Sequence, residues 1–228
     1  DPVNIVSIFN SFKVDELVLL DTQATKDSRL ISLDLLNDIA SEAKMPFAVG
    51  GGINSLKDIR SILSMGAEKV VISSEALINP GFLREAADQF GSSSIMVCMD
   101  VKTSILGKKQ VQISSNGTKL SLLPMEAAKL VEENGAGELI LQSVDRDGVM
   151  EGYDEVLINE ISDALSIPVI ALGGAGTLQH MKDLYKSSNV SALASGSTFV
   201  FQDKERGVLV NYPSTEELNN ASDWLKDW

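Results

Sequence analysis

Short apolar runs alternate along the chain with longer amphipathic segments, and this alternation predicts strands and helices that follow one another. The apolar runs carry hydrophobic residues at nearly every position, which is typical of parallel strands covered on both faces. Seven strands are predicted, at residues 15–21, 46–49, 68–73, 94–100, 138–142, 168–171 and 191–195. Helices are predicted at residues 2–12, 31–43, 55–65, 80–89, 124–133, 155–165 and 177–186. The pattern indicates an α/β fold built from repeated β/α units.

The sequence also contains an internal repeat with an offset of 122 residues. Residues 46–52 (PFAVGGG) correspond to residues 168–174 (PVIALGG). The same offset relates residues 16–20 to 138–142 and residues 73–74 to 195–196. One register that holds over three separate segments indicates a duplication. Glycines at strand ends let a ligand approach the backbone, where N–H groups cradle anions, so the repeat predicts two phosphate-sized anion sites.

The duplication and the strand count predict a (β/α)8 TIM barrel made of two four-unit halves. The strand at 94–100 falls in the second half, so its counterpart is expected roughly twenty residues before residue 1. We therefore expect the first β-strand to be missing from this chain, which would leave the barrel unclosed. We expect one domain over residues 1–228, with half-barrels at about 1–90 and 91–228. An open doubly wound sheet is the alternative, but it needs no such repeat and usually carries a G-x-G-x-x-G turn.

The net charge and the cysteine and histidine content exclude several classes of partner and site. The formal net charge is −13, which argues against nucleic acid and anionic membranes as main partners, so an anion must be held locally by backbone N–H groups. Cys98 and His180 are the only cysteine and histidine, so we expect no disulfide, no metal site and no cofactor. Neither a signal peptide nor a membrane-length apolar run is evident, and the cytoplasm is the expected location.

Asp100 is the main candidate for chemistry. It follows the apolar run 96–99, and the C-terminal ends of barrel strands are where active sites lie. A carboxylate there is suited to general acid–base catalysis. The spacing is equally well explained by a loop cap or by an ion pair with Lys102. The paired glycines also have a structural explanation, since glycine often ends a strand, and it is the repeat that favours ligand binding.

Three charged residues stand at the opposite ends of predicted strands, namely Glu16, Lys69 and Glu138. Charges at such positions usually face solvent. The alternative is that they form a charged ring at the bottom of the barrel, around an entrance.

Nine short segments, in order over residues 1 to about 200, carry a family resemblance: 15–21 (DELVLLD), 49–53 (VGGGI), 79–80 (NP), 90–92 (FGS), 100–102 (DVK), 135–138 (GAGE), 145–148 (DRDG), 152–154 (GYD) and 173–176 (GGAG). Together they resemble the cyclase subunit of imidazole glycerol phosphate synthase, a family of histidine biosynthesis. That family has a (β/α)8 barrel with a twofold internal repeat, as the hydrophobic pattern also predicts.

The resemblance implies a lyase-type cyclase that belongs to a glutamine amidotransferase complex. A partner glutaminase docks at the bottom face of the barrel and releases ammonia, which crosses the barrel behind a gate implied to consist of Glu16, Lys69 and Glu138. At the top, ammonia attacks a small phosphorylated substrate, a ribulosyl-formimino intermediate. The products are imidazole glycerol phosphate and an aminoimidazole carboxamide ribotide.

The resemblance also assigns binding roles. Asp100 matches one of two catalytic aspartates, and the other is implied for the unit expected before residue 1. One phosphate site is implied at Gly52, Ser73 and Ser74. The other is implied at Asp147, Gly148, Gly174, Gly196 and Ser197.

Some positions depart from the family. Ser73 stands where the family usually has Asn, and Gln142 stands where it usually has Thr. The segment 199–213, together with 171–174, resembles a paralogous group associated with surface polysaccharide, and this group is the closer match within the family. For that group the implied function is to supply ammonia for acetamidino-sugar formation in lipopolysaccharide or O-antigen biosynthesis, without a cyclase activity of its own. This is the alternative function.

Overall fold

The computed structural model describes residues 1–113, 116–201, 207–214 and 216–217. Its strands are β1 (Leu17–Leu20), β2 (Phe47–Gly50), β3 (Lys69–Ile72), β4 (Ile95–Thr103), β5 (Lys109–Ile113), β6 (Thr118–Lys119), β7 (Glu138–Ser143), β8 (Val169–Leu172) and β9 (Ala192–Ala194). Its α-helices are α1 (Pro2–Phe12), α2 (Leu33–Glu42), α3 (Leu56–Ser64), α4 (Ser74–Ile78), α5 (Pro80–Phe90), α6 (Pro124–Glu133), α7 (Glu155–Ala164), α8 (Leu178–Ser187) and α9 (Ser197–Val200). A short 3-10 helix spans Ser92–Ser94.

Seven of the strands form one parallel sheet in the order β1-β2-β3-β4-β7-β8-β9. Each of these strands pairs with the next of the seven along the chain. The hairpin strands lie outside this order, since β5 pairs with β4 and β6 pairs with β5, both in antiparallel fashion. Sequential parallel pairing with helices between the strands is the connectivity of a (β/α)8 barrel. The predicted fold class is confirmed, whereas the strand expected before residue 1 stays a prediction.

The helices begin where local sequence signals predict. The Ser55 hydroxyl accepts the Asp58 N–H at 3.2 Å at the start of α3, and the Asn79 side chain accepts the Phe82 N–H at 3.3 Å at the start of α5. Pro80 is the first residue of its helix, a position where the missing N–H costs nothing. These caps depend on residues within one turn, so the sequence reveals them.

Strand β4 differs from the prediction because it continues to Thr103, beyond the expected end at Asp100. The added residues pair with β5, since Val101 lies opposite Val111 and Thr103 opposite Lys109. Asp100 therefore lies inside a strand, just before β4 begins to pair with the hairpin. Helices α4 and α9 were also not predicted, because five and four residues are too few to show a helical period.

The sheet separates two apolar cores, since successive residues of a strand point to opposite faces. The larger core lies between the sheet and the helices and includes Val97 and Met99 of β4. The smaller core lies on the inner face, which the helices do not cover. It consists of Ala48, Val71, Met96, Cys98, Ile140 and Ile170, with Val18, Leu172 and Ala194 packed against it. Met96 and Cys98 are both buried in this core.

The strand-end glycines permit close packing between neighbouring loops. A Cβ at Gly52, whose φ is +72°, would lie 1.8 Å from the Arg29 carbonyl oxygen and 3.3 Å from the Ala24 Cβ. A Cβ at Gly174, whose φ is +109°, would lie 2.2 Å from the Gly152 carbonyl oxygen and 3.2 Å from the Arg146 Cβ. Ala24 and Arg146 are separated by the same 122 residues as the two glycines. The repeat thus extends to the loops, where it preserves backbone packing.

We predict that Gly52→Ala and Gly174→Ala each lower the free energy of unfolding by about 2–5 kcal/mol, because each combines a left-handed backbone with a steric clash. Gly196→Ala is the matched control. Its φ is −96° and a Cβ there meets no atom within 4 Å, so the change should stay within about 0.5 kcal/mol. Urea unfolding measures all three, and equal midpoints for the Gly52 and Gly196 variants would contradict the packing argument.

Candidate active site at the strand ends

A cavity of about 520 Å³ opens at the C-terminal ends of β1, β2, β3, β4 and β7. We call it the mouth cavity. Four predicted site residues line it, namely Gly52, Ser73, Ser74 and Asp100. They come from three different strand ends, so the structure brings together residues that lie up to 48 positions apart in the chain. A site assembled from several strand ends is characteristic of enzymes with this fold.

Asp100 lies deep in the mouth cavity, with only 7% of its surface exposed. Its partner in the parallel ladder is Gln142 of β7. The Cys98 sulfur, two residues back on the same face of β4, lies 3.8 Å from Asp100 Oδ1. A buried carboxylate that borders a cavity is placed to exchange a proton with a molecule bound there.

Backbone and hydroxyl groups form the first candidate phosphate site. The N–H of Gly52 has no protein acceptor among the described residues. Ser73 precedes α4, but its side chain makes no capping hydrogen bond to that helix. Both residues border the mouth cavity together with Ser74. These uncommitted donors are available to an anion in the cavity.

An ion pair that was not predicted from the sequence lies at the rim of the mouth cavity. Arg29 Nη1 donates to Asp21 Oδ2 at 2.6 Å, and Asp21 also accepts the N–H groups of Gln23 and Ala24 at 3.0 and 3.1 Å. The Arg29 hydrogen bond, which outweighs the opposing effect of burial, holds the pKa of the Asp21 carboxyl below its ordinary value. Asp21 and Arg29 occupy opposite ends of one polar loop, and no local rule pairs loop residues that far apart.

The second candidate phosphate group lies on the loops after β7, β8 and β9. Asp147 uses its own N–H within the turn, where it donates to the Ser143 carbonyl at 3.1 Å. The N–H groups of Gly148 and Gly174 have no protein acceptor within the described ranges. Gln142 Nε2 donates to Asp147 Oδ2 at 3.3 Å. None of Asp147, Gly148, Gly174, Gly196 and Ser197 lines the mouth cavity, whereas Gln142 does, so the Gln142 side chain connects Asp147 to the cavity.

A charged cluster lies at the opposite, N-terminal end of the sheet. Lys69 Nζ is 2.7 Å from Glu138 Oε1 and 3.2 Å from Glu16 Oε1. Burial lowers the pKa of the Lys69 ammonium, but the hydrogen bond to Glu138 and the charges of both carboxylates outweigh it, so the pKa lies above its ordinary value. The three residues that the sequence placed at strand starts therefore form one contact cluster, which we call the ion cluster.

A second cavity, of about 320 Å³, lies beside the loop after β7 and helix α8. Its lining includes Arg146, which donates to the Gly152 carbonyl at 3.0 Å, and His180, whose Nδ1 accepts the Gly176 N–H at 3.2 Å. Both side chains thus hold loops in place. None of the predicted site residues lines this cavity, so the mouth cavity is the candidate active site.

In the described part of the chain, no three His, Cys, Asp or Glu side chains are grouped so that they could hold a metal ion. No helix in the same ranges is long and apolar enough to cross a bilayer.

The fold and site define a barrel protein whose strand ends surround one buried carboxylate and glycine-rich loops with uncommitted N–H groups. The particular family follows from comparison with known proteins. Residues 1–205 match the model of the family described as "Histidine biosynthesis protein". The chain belongs to this family, and the family named from the sequence motifs is confirmed.

Three relatives illustrate the similarity. A Pseudomonas aeruginosa protein, named provisionally as imidazole glycerol phosphate synthase subunit hisF2, is 42% identical over 220 residues, which cover 96% of this chain and 87% of the relative. A Vibrio vulnificus protein, named provisionally as subunit hisF3, is 39% identical over 97% of this chain and 85% of the relative. The Clostridium botulinum imidazole glycerol phosphate synthase subunit HisF is 38% identical over 95% of this chain and 86% of the relative.

We predict that the Asp21–Arg29 ion pair makes stability depend on acid pH. Because the folded-state pKa of Asp21 is depressed, its contribution is present above the unfolded pKa of about 3.9 and is lost as the pH falls through the folded value. Urea unfolding of wild type and Asp21→Asn should therefore differ near neutral pH and converge in acid. Asp27→Asn is the control, since Asp27 contacts the same Arg29 at 3.3 Å from a more exposed position. An Asp21→Asn difference that stays constant with pH would count against the ion pair.

Proposed function

We propose that this chain is the cyclase subunit of an imidazole glycerol phosphate synthase, a lyase that uses ammonia released by a partner glutaminase. The observation that carries the proposal is the arrangement along the inner face of the sheet. The ion cluster lies at one end of this face and Asp100 at the other, with apolar side chains between them. The names of the relatives support the same activity.

The inner face suits the transfer of a small neutral molecule. Its side chains between the two ends are Val18, Ala48, Val71, Met96, Ile140 and Ile170. Uncharged ammonia enters such surroundings at far lower cost than the ammonium ion, because a charge in an apolar environment is heavily penalised. An apolar column therefore favours delivery of the nucleophile as NH₃ and excludes its protonated form.

The ion cluster suits the role of a gate. Lys69 bridges Glu16 and Glu138, and its side chain is 20% exposed, so the cluster stands between solvent and the inner face. Breaking a partly buried ion pair costs more than breaking an exposed one. We propose that the glutaminase docks at this bottom face and that the cluster rearranges to admit ammonia.

At the top of the barrel, the substrate bears a phosphate at each end and lies across the mouth cavity. Gly52, Ser73 and Ser74 hold one phosphate, and Asp147, Gly148, Gly174, Gly196 and Ser197 hold the other. Each half of one domain, at about 1–90 and 91–228, thus supplies one site. Backbone N–H groups bind phosphate without added cations, which suits a chain with a net charge of −13.

Asp100 serves as a general acid–base group in this proposal. It lines the mouth cavity beside the first phosphate group and lies on the inner face along which ammonia arrives. As a base it removes a proton from the attacking nitrogen, and as an acid it returns one to the leaving group, so its own charge is restored.

Turnover by the full-length protein tests the function. Ammonium salts and the ribulosyl-formimino substrate should give imidazole glycerol phosphate without a partner, and glutamine should replace ammonium once the glutaminase is added. Absence of product under both conditions would overturn the cyclase assignment. If the chain still stimulated glutaminase activity, the alternative of ammonia supply for acetamidino-sugar formation would take its place.

We predict that Asp100→Asn lowers ammonia-dependent turnover by about 10²–10⁴-fold, since the amide keeps the shape but does not accept a proton. The KM for the substrate should change little. Asp88→Asn is the matched control, because Asp88 is exposed on α5 and should keep wild-type turnover. Near-normal turnover of the Asp100 variant would show that this residue is structural.

We predict that Lys69→Met separates glutamine-dependent from ammonia-dependent activity. The substitution leaves Glu16 and Glu138 without their shared cation and should disturb the gate, while ammonia added to the medium still reaches the mouth cavity. Lys57→Met, on the exposed surface of α3, is the control and should leave both activities unchanged. Equal changes in the two activities of the Lys69 variant would argue that the cluster is an ordinary surface ion pair.

A further inference from the structure

Three side chains meet where the inner face reaches the mouth cavity. Cys98 and Asp100 are two residues apart on β4 and share its inner face. Gln142 of β7 lies directly opposite Asp100 in the parallel register. The Cys98 sulfur is 3.8 Å from Asp100 Oδ1 and 3.8 Å from Gln142 Oε1. The thiol therefore has two oxygen acceptors at the same distance.

A neighbouring carboxylate determines which way the Gln142 amide points. Gln142 Nε2 donates to Asp147 Oδ2, and an ionised carboxylate only accepts hydrogen bonds. The amide nitrogen must therefore face Asp147, so the amide oxygen faces Cys98. Gln142 offers the thiol an acceptor and no competing donor.

The thiol at this position keeps its proton. Cys98 is 4% exposed, and burial, followed by the charge and hydrogen bond of Asp100 and the charge of Asp147, raises the pKa of the thiol well above its ordinary value. A thiol has one hydrogen to donate. It can therefore satisfy only one of its two acceptors at a time.

We propose that Cys98 is a positioning residue for Asp100: its thiol donates to Asp100 while that carboxylate is ionised and turns to Gln142 when Asp100 is protonated. The inference rests on the proposed function, in which Asp100 alternates between base and acid. No bond to sulfur forms or breaks, and only the direction of the S–H bond changes. A hydrogen bond to the ionised form favours that form, so the thiol keeps Asp100 ready to act as a base.

Other charged groups also surround Asp100. Asp21, Lys26, Arg29 and Glu75 line the same mouth cavity, and Asp147 lies beyond Gln142. Their charges are the same in Cys98→Ala and Cys98→Ser. A comparison of those two variants therefore separates the effect of the hydrogen bond from residue 98 from the electrostatic effect of the surrounding charges.

Infrared spectroscopy tests the proposal directly, because Cys98 is the only cysteine of this sequence and the S–H stretching band that Cys98→Ala removes is the band of this residue. At about pH 8, where an ordinary carboxyl is ionised, Gln142→Leu should leave the band in place. Asp100→Leu should shift the band to higher frequency, because a neutral amide is a weaker acceptor than a carboxylate. The double variant should shift it further, to the position of an unbonded thiol.

Two results would overturn the proposal. One is a band at the same frequency in wild type and in Asp100→Leu, and the other is a band that moves in Gln142→Leu alone. If Asp100→Leu does not fold, Asp100→Asn replaces it, and the shift from carboxylate to amide acceptor must still appear. Disappearance of the band in Cys98→Ala confirms the assignment to residue 98.

The pH dependence of turnover provides the functional test. Cys98→Ala should move the acidic limb of the ammonia-dependent pH–rate profile to higher pH, by on the order of 0.5–1 pH unit. The reason is that ionised Asp100 loses a hydrogen-bond donor, which raises its pKa. Cys98→Ser should restore it, since a hydroxyl also donates, and an unmoved limb in Cys98→Ala would contradict the positioning role. The infrared pattern requires no turnover. An inactive protein with the expected band shifts would therefore refute the cyclase function but still support the change of hydrogen-bond acceptor at Cys98.

Discussion

The shared register of the parallel strands is the constraint on which the rest of this structure depends. Alternate residues of each strand face inward. The register therefore decides which side chains meet on the inner face and at what height along the barrel axis they meet. It places Lys69 between Glu16 and Glu138 at one end, and it places Asp100 opposite Gln142 at the other. A shift of one residue in a single strand would turn its polar residues towards the helices.

The glycines at the strand ends allow both close packing of the loops and access to backbone N–H groups. Gly52 and Gly174 let neighbouring loops approach to distances that no Cβ tolerates, and the same bare backbone leaves N–H groups without protein acceptors in the described chain. Packing and anion binding therefore call for the same residue type. Ala24 and Arg146 occupy equivalent positions of the repeat next to the two glycines, so both halves pack these loops in the same way.

The negative net charge of the chain is reflected in the contacts that its lysine and arginine side chains make with carboxylates. With a net charge of −13, the lysine and arginine at the two ends of the barrel contact carboxylates, Lys69 in the ion cluster and Arg29 at the rim. Their charges are thus partly neutralised before any ligand arrives. In the proposed function, an anionic substrate is therefore held locally, by groups at the strand ends, and not by long-range attraction to the whole chain.

The sequence alone determined the strands, most of the helices, the α/β class and the 122-residue repeat, because these depend on local periodicity, caps and identity. It also singled out Asp100, the strand-end glycines and the three charges at strand starts. Only the tertiary structure decided that Lys69 contacts both Glu16, 53 residues away, and Glu138. It also revealed the Asp21–Arg29 pair, the extension of β4 by the hairpin, and the meeting of Cys98 with Gln142. These contacts depend on which strand lies beside which and at what level, and long-range pairing of that kind leaves no periodic signal in one sequence.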